Sequence, residues 1–235
     1  SINEDLSQAE KNITLAALNK YNDRFNMKVE SPATIPPFEI NLDRDKWTRT
    51  NSRRYVRPLS EPKKAAVETF IKQALADGLI KLSNAGAFSQ VLLTPKSNGK
   101  WRFCIDYRAL NELSESLGWP IPNIKQMLNN IGSKKPKYFA VLDLTSGYYQ
   151  APLAATSQPL TAFITHMGLY EWTRVPMGAK GAPPHFQYHM VNTVFAGLVH
   201  NICEIYLDDI IVWGDSIEEL SSRLETLLAR AKQYN

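Results

Sequence analysis

Two adjacent aspartates, Asp208 and Asp209, lie in the run IYLDDIIVW, which is otherwise apolar and rich in β-branched residues. A buried carboxylate destabilises a protein by several kcal/mol unless it is paired or bound to a metal. The simplest explanation for this pair is a hairpin turn, because Asp is a common turn residue. The alternative is a metal site, which requires at least one more carboxylate from elsewhere in the chain.

A third carboxylate, Asp143, lies in the run YFAVLDL, which predicts a buried strand over 138–144. An aspartate near a strand end, aligned with a hairpin-turn pair, would converge with that pair at one edge of a sheet. Hard cations such as Mg²⁺ take oxygen ligands, and two ions about 3.5–4 Å apart can clamp both oxygens of an in-line phosphoryl displacement. Because neighbouring strand side chains point to opposite faces, Asp208 and Asp209 both reach a metal only if the turn bends the backbone between them. The residues alone leave Asp143 open to two interpretations, a metal ligand or a strand-end cap.

The composition is that of a globular protein with a sizeable core. The chain has 235 residues, of which 44% are hydrophobic and 21% charged, enough for one large domain or two lobes of one unit. The net charge of +4 permits a polyanionic partner without requiring one. Arg53 and Arg54 belong to a concentration of basic residues between positions 44 and 64.

Several other classes of protein are disfavoured. The two cysteines, Cys104 and Cys203, are far apart, which argues against a zinc site or a disulfide framework and favours a reduced, intracellular setting. No apolar run approaches the ~20 residues of a membrane span, and the polar, acidic start does not resemble a secretory signal. The histidines show no metal-ligand spacing with cysteine and are interpreted as ordinary surface or core residues; they are His166, His185, His189 and His200.

The hydrophobic periodicity predicts helices and strands in irregular order, and therefore an α+β fold. The predicted strands are a hairpin over 88–106 around Asn98-Gly99, a strand over 138–144, and a strand, tight turn and strand over 205–213. Five helices are predicted. The first runs from a Ser7/Glu10 capping box to about Phe25, and the second covers 60–78 with the apolar stripe Ala66, Phe70, Ala74 and Leu75. The third covers 121–132 and stops at Gly132, the fourth runs from Pro183 and Pro184 to about Leu198, and the last begins at a cap formed by Ser216 and Glu219. The segment 31–40, which contains three prolines, predicts a linker or extended arm.

Five sequence blocks give the chain a family resemblance. They are KSNGKWRFCIDYRALNEL, WPIPNI, FAVLDLTSGYYQAPL, TAFITHMGLYEWTRVPMGAKGAPPHFQ and YLDDIIVWGDS. In this order and at this spacing, they resemble the reverse transcriptase of gypsy-type LTR retrotransposons, within the retroviral-like polymerase family. The chain departs from that pattern in details, for example at Tyr149, where the family often has His.

The resemblance implies a right-hand polymerase with fingers and palm, and a mixed or antiparallel palm sheet with packing helices. The expected division is an N-terminal helix and extended basic linker over 1–52, fingers over 53–117 and 151–181, and palm over 118–150 and 182–235. In the family, a thumb and an RNase H region follow, so we expect this chain to be part of a longer polyprotein. The expected location is a cytoplasmic virus-like particle or the nucleus.

The resemblance also resolves the question of the carboxylates. Asp143 falls on the family's first catalytic aspartate, and Asp208 and Asp209 fall on its YxDD pair. This implies a palm site with two Mg²⁺ ions, or Mn²⁺ as a substitute, that extends a primer on an RNA or DNA template with dNTPs. On this interpretation the turn and the metal site are the same feature, because the turn presents the two side chains.

Further residues are assigned to the dNTP by the same resemblance. Tyr148 would exclude the 2′-hydroxyl of the incoming sugar, and Arg102 and Lys96 would contact the triphosphate. Met177 and Gln150 would lie near the nucleotide. The residues themselves leave simpler alternatives open: core packing for Tyr148 and Met177, a solvated hairpin for the two cations, and a strand-surface position for Gln150.

Four residues are assigned to nucleic acid. They are Arg53, Arg54, Gln187 and Tyr206. Arg53 and Arg54 would follow the template backbone, where cations release counterions, although a solvated face explains them equally well.

Two alternative functions are an inactive or domesticated nucleic-acid-binding remnant of a retroelement and an RNA-templated RNA polymerase.

Overall fold

The computed structural model describes residues 2–25, 31–49, 55–97, 99–115 and 118–235. The helices are α1 (Gln8–Asn19), α2 (Arg44–Thr48), α3 (Glu61–Ala76), α4 (Arg108–Leu113), α5 (Ile124–Ser133), α6 (Gly147–Gln150), α7 (Ala182–His189) and α8 (Ile217–Gln233). The strands are β1 (Ile80–Leu82), β2 (Ser89–Pro95), β3 (Trp101–Asp106), β4 (Tyr138–Asp143), β5 (Phe163–Thr165), β6 (Gly168–Trp172), β7 (Cys203–Tyr206) and β8 (Asp209–Gly214). Within these ranges, no helix is both long and apolar enough to cross a membrane.

One sheet has the strand order β1-β6-β5-β2-β3 and is mixed, because β2 and β5 run parallel while the other neighbours are antiparallel. The predicted hairpin is confirmed as β2 and β3, which pair from Gln90 with Asp106 to Pro95 with Trp101. Phe103 of β3 stacks on Phe70 of α3 with 3.9 Å between ring centroids. Because side chains alternate along a strand, Arg102 lies on the hairpin face away from α3.

The other sheet has the order β4-β8-β7 and is antiparallel throughout. The predicted strand over 138–144 and the strand, turn and strand over 205–213 are both confirmed. One face is buried through Ile210 and Val212 beneath α8, whose predicted cap is present: Ser216 Oγ accepts a hydrogen bond from the Glu219 N–H at 3.2 Å. On the opposite face of β4, Phe139 and Val141 are 53% and 66% exposed. The α+β prediction with a mixed sheet is therefore confirmed.

Three predicted helix boundaries differ from the structure. The Ser7/Glu10 capping box is present, but α1 ends at Asn19 and a separate 3₁₀ turn covers Asn22–Arg24, in a stretch rich in weak helix formers. Helix α5 passes through Gly132, and its N-cap is Asn123, whose side chain accepts from the N–H groups of residues 125 and 126. The helix after the two prolines becomes a π-turn over Met190–Val194 and ends there.

The buried face of α3 matches the predicted stripe in part. Ala74 is buried and Ala66 and Phe70 pack against the core as predicted, but Leu75 is 41% exposed, and Val67 and Ile71 are buried instead. Both sets of positions have helical spacing, so periodicity alone could not choose between them. The choice is made by the sheet on which α3 packs.

We therefore predict different costs for two truncations in α3. Ile71→Ala removes a side chain with no exposed surface and should lower the free energy of unfolding by about 2–5 kcal/mol. Leu75→Ala should lower it by roughly 0.5 kcal/mol, as is typical of surface positions. Urea denaturation of both variants measures the difference, and equal losses would contradict the buried face described above.

Candidate active site

The turn between β7 and β8 consists of two residues, since Tyr206 pairs with Asp209 and leaves Leu207 and Asp208 between them. Leu207 has a φ of +55°, whereas Asp208 is not among the residues with positive φ. This sign pattern is that of a type II′ turn, in which the first central residue is normally Gly. A bulky residue there is strained by about 1–3 kcal/mol and persists only when its surroundings hold it.

The amide side chain of Gln187, in α7, holds this turn. Its Nε2 donates to the carbonyl of Ile205 at 2.9 Å, and its Oε1 accepts from the N–H of Leu207 at 2.7 Å. Gln187 is 0% exposed. Both amide atoms are used inside the protein, so in this structure Gln187 positions the turn and has no exposed surface for the nucleic acid to which the sequence assigned it.

The carboxylates meet at the end of the β4–β8 ladder. Asp143 lies directly opposite Asp209, so their side chains share one face of the sheet. Asp208 is fixed through its backbone, because its carbonyl accepts from the Leu144 N–H at 2.8 Å. Asp143 and Asp209 are exposed and Asp208 is half-buried. Like charges directly opposite each other destabilise a sheet, and no ion pair to these aspartates is formed within the part of the chain that the structure describes.

This set of donors fits a hard divalent cation in its chemistry. The ligands are oxygens, they are accessible, and they lack a competing cationic partner among the described side chains. Over the same ranges, no three His, Cys, Asp or Glu side chains are arranged closely enough to hold a metal ion. The backbone therefore brings the aspartates together without forming a closed coordination sphere.

Helix α6 places Tyr148 beside Asp208. A Cβ on Gly147 would lie 3.2 Å from Asp208 Cβ and 3.3 Å from Phe186 Cζ, so the absence of a side chain permits this approach. The Tyr148 ring meets Phe186 edge-on, with 5.4 Å between centroids. Burial raises the pKa of the Tyr148 hydroxyl, and the Asp208 carboxylate raises it further. Tyr148 is thus half-buried, next to the turn, with a hydroxyl that stays protonated.

Lys96 and Arg102 both lie on the β2–β3 hairpin and are exposed. The hairpin is closed by the Lys96 N–H donating to the Lys100 carbonyl at 2.7 Å and by the Gly99 N–H donating to the Lys96 carbonyl at 3.1 Å. Neither Lys96 nor Arg102 forms an ion pair with a described acidic residue. Both side chains are therefore available to an anionic ligand. Asn98 of the predicted turn lies outside the described residues.

Met177 lies on a loop over residues 176–181, and its side chain is 52% exposed, so core packing does not explain it. The loop is held by Asn111, which the sequence did not single out. Asn111 Nδ2 donates to the Gly178 carbonyl at 2.8 Å, and its Oδ1 accepts from the Lys180 N–H at 2.8 Å. No local pattern distinguishes such an Asn from an ordinary helix-surface residue.

The remaining predicted residues lie in varied settings. Gln150 donates through Nε2 to the Thr145 carbonyl at 2.8 Å, so part of its amide is engaged within its own segment. Tyr206 is half-buried at the end of β7. Arg53 and Arg54 lie outside the described residues, so the structure does not place them.

An open groove lies beside the loop and is lined by Leu92, Ile105, Asp106, Tyr107, Arg108, Asn111 and Gly178. Arg108 donates two hydrogen bonds to the Asp106 carboxylate, at 2.8 and 2.7 Å, and these lower the pKa of Asp106. The Arg108 side chain is 82% exposed, so the pair is anchored at Asp106 and open to solvent at Arg108.

Comparison with known proteins places these features in context. The family described as "Reverse transcriptase (RNA-dependent DNA polymerase)" matches residues 94–235. The chain is 31% identical over its whole length to the retrovirus-related Pol polyprotein from transposon opus of Drosophila melanogaster, and 34% identical over 76% of its length to that from transposon 297. It spans 24% and 17% of the lengths of these relatives.

Solved structures show the same fold. The foamy viral protease-reverse transcriptase in complex with an RNA/DNA hybrid superimposes with a TM-score of 0.83 at 24% identity, over 98% of this chain and 30% of that one. The foamy viral protease-reverse transcriptase dRH in complex with double-stranded DNA gives a TM-score of 0.80 at 22% identity, over 98% of this chain and 40% of that one.

The role of Gln187 predicts a stability effect. Gln187→Met keeps the length of the side chain but leaves a buried carbonyl and a strained N–H without partners, so the free energy of unfolding should fall by about 1–3 kcal/mol. Gln126→Met, at an exposed position on α5, is the matched control and should change it by roughly 0.5 kcal/mol. Urea denaturation compares the two, and a Gln187 variant no less stable than the control would contradict the assignment.

Proposed function

Because this chain belongs to the reverse transcriptase (RNA-dependent DNA polymerase) family, we propose that it extends a primer 3′ end with dNTPs on an RNA or DNA template. The observation that carries the proposal is the placement of Asp143 opposite Asp209, beside the Asp208 turn, with no ion pair to a described cationic residue. Since the chain spans less than a quarter of its relatives' length, it would act as the polymerase region of a longer retrotransposon polyprotein.

We assign the two sheets to the two parts of a polymerase. The β1-β6-β5-β2-β3 sheet would belong to the fingers, over 53–117 and 151–181. The β4-β8-β7 sheet would belong to the palm, over 118–150 and 182–235. The strand segments support this division, because the first sheet is built from 80–106 and 163–172 and the second from 138–143 and 203–214.

The palm carboxylates would hold two Mg²⁺ ions, with Mn²⁺ as a substitute. When bound, such ions lower the pKa of the primer 3′-hydroxyl and hold the triphosphate. Asp143 and Asp209 would act as a cross-strand pair, and Asp208 would contribute from the turn. Their mutual repulsion in the absence of a cation supports this assignment, since a bound cation would relieve it.

The nucleotide would lie between α6 and the fingers hairpin. Tyr148, fixed by Phe186 and Gly147 beside Asp208, would exclude a 2′-hydroxyl by its ring. Arg102 and Lys96 would contact phosphate oxygens, for which the Arg fork is well suited. Met177 and the remaining amide oxygen of Gln150 would face the same nucleotide.

Template and primer would cross the same face. The similar solved structures are complexes with an RNA/DNA hybrid and with double-stranded DNA, which supports a duplex partner for this chain as well. Tyr206 would contact the duplex near the turn, and Arg53 and Arg54 would contact its phosphates. A cytoplasmic virus-like particle or the nucleus remains the expected location.

The central test is primer extension on an RNA template with Mg²⁺ and dNTPs. The Asp208→Asn, Asp209→Asn double variant should lose extension completely, because a neutral amide lacks the negative charge with which a carboxylate holds a divalent cation. Asp215→Asn, an exposed aspartate just beyond β8, is the matched control and should retain activity. Binding of primer–template without extension, by the wild-type chain and by a longer protein carrying downstream residues, would instead favour a nucleic-acid-binding remnant.

The role of Tyr148 predicts a change in sugar selectivity. Tyr148→Ala should reduce the preference for dNTPs over rNTPs on the order of 10-fold or more, as expected when a steric contact is removed from a pocket. Tyr148→Phe keeps the ring and should keep the preference. Single-nucleotide incorporation with each substrate measures both, and unchanged selectivity in Tyr148→Ala would contradict the assignment.

A further inference from the structure

The three-proline segment has a defined place in the fold. We name residues 31–40 the arm. Its backbone binds the chain immediately after α6: the Ala33 N–H donates to the Gln150 carbonyl at 2.7 Å, and the Phe38 N–H donates to the Pro152 carbonyl at 2.9 Å. The Ala154 N–H donates back to the Phe38 carbonyl at 2.9 Å. The arm thus binds residues 150–154 at both ends of that segment and forms one isolated parallel β-bridge with it, between Phe38 and Leu153.

The same residues 150–154 bind the chain immediately before Met177. The Val175 N–H donates to the Ala151 carbonyl at 3.1 Å, and the Leu153 N–H donates to the Thr173 carbonyl at 3.3 Å. The segment that follows Tyr148 is therefore held between the arm on one side and the segment that leads to Met177 on the other.

The side chain of Phe38 reaches the other end of the Met177 loop. It is 3% exposed, and its ring is so close to Gly181 that a Cβ there would lie 3.0–3.1 Å from two ring atoms. The ring also packs on His185 of α7, with 5.1 Å between centroids. One residue of the arm therefore contacts residues 150–154 through its backbone and the end of the Met177 loop through its ring.

We propose that the arm sets the position of Tyr148 relative to Met177, with Phe38 as the positioning residue, and thereby sets the affinity for the incoming dNTP. This inference rests on the proposed function. Tyr148 and Met177 are carried by short segments, α6 and the 176–181 loop. A rigid connection behind both would keep them at a fixed separation before a nucleotide arrives, and such preorganisation lowers the cost of binding.

A purely structural role for Phe38 would have different consequences. If Phe38 only filled space, its truncation would lower the global stability of the protein. It would not raise the local mobility of α6 and the Met177 loop more than that of other segments. Ile35 provides the comparison, because it is an apolar residue of the same arm that is also buried, at 8% exposed.

The first experiment measures the connection without requiring catalysis. In amide hydrogen exchange on the 235-residue chain, Phe38→Ala should raise exchange in 147–150 and 177–181 together, on the order of 10-fold. Ile35→Ala, compared under conditions of equal global stability, should leave both segments close to wild type. Increased exchange in only one segment, in neither, or equally in both variants would overturn the proposal.

The second experiment measures the effect on dNTP use. Phe38→Ala should raise the KM for dNTP on the order of 10-fold with a smaller change in kcat, because misplaced binding groups weaken the ground-state complex. Gly181→Ala, which pushes a methyl group into the Phe38 ring, should act in the same direction. The double variant Phe38→Leu, Gly181→Ala has room for that methyl group and should recover most of the loss.

The outcomes separate the two proposals. Two results would overturn the role of the arm while leaving the polymerase assignment intact. One is a KM for dNTP that is unchanged in Phe38→Ala. The other is a KM in the double variant that is higher than in Gly181→Ala alone. If the wild-type chain fails to extend a primer, the exchange comparison still decides whether the arm connects the two segments.

Discussion

The two hydrogen bonds of Gln187 are the interaction on which the proposed site depends. They hold a turn whose first central residue, Leu207, has a backbone conformation that it would not adopt in isolation. That turn places Asp208 next to α6 and starts β8 at Asp209, opposite Asp143. If the turn relaxed, the relative positions of all three carboxylates would change, because each is defined by the backbone of this ladder.

The proposed site also includes residues outside this sheet. The carboxylates belong to the end of a short antiparallel sheet with α8 behind it, whereas Lys96 and Arg102 lie on the β2–β3 hairpin and Met177 on a loop. Asn111 stabilises that loop from α4, and Phe38 packs against its far end. Residues far apart in the chain thus hold the parts that would surround a nucleotide.

The sequence predicted the elements of the site better than its internal contacts. Strand, turn and strand around Asp208 and Asp209 follow from apolar runs interrupted by turn residues, and family resemblance linked them to Asp143. The pairing of Asp143 with Asp209 depends on register between strands more than 60 residues apart, which no local pattern specifies. Gln187 was assigned to nucleic acid because a Gln near a helix start gives no sign of whether it faces solvent or a strained turn. The predicted stripe of α3 was wrong at Leu75, because two overlapping apolar stripes share one periodicity and only tertiary packing distinguishes them.

The close approach at Gly147 has a consequence for how such a chain can diverge. Three residues from separate segments, Gly147, Phe186 and Asp208, share a space in which an added methyl group would force a neighbour to move by a few tenths of an ångström. An alanine at position 147 therefore fits more easily after Phe186 has become smaller or the turn has shifted, so the order in which changes accumulate matters. We therefore expect changes at these three positions to depend on one another, whereas an exposed position such as Leu75 carries no such constraint from a close contact.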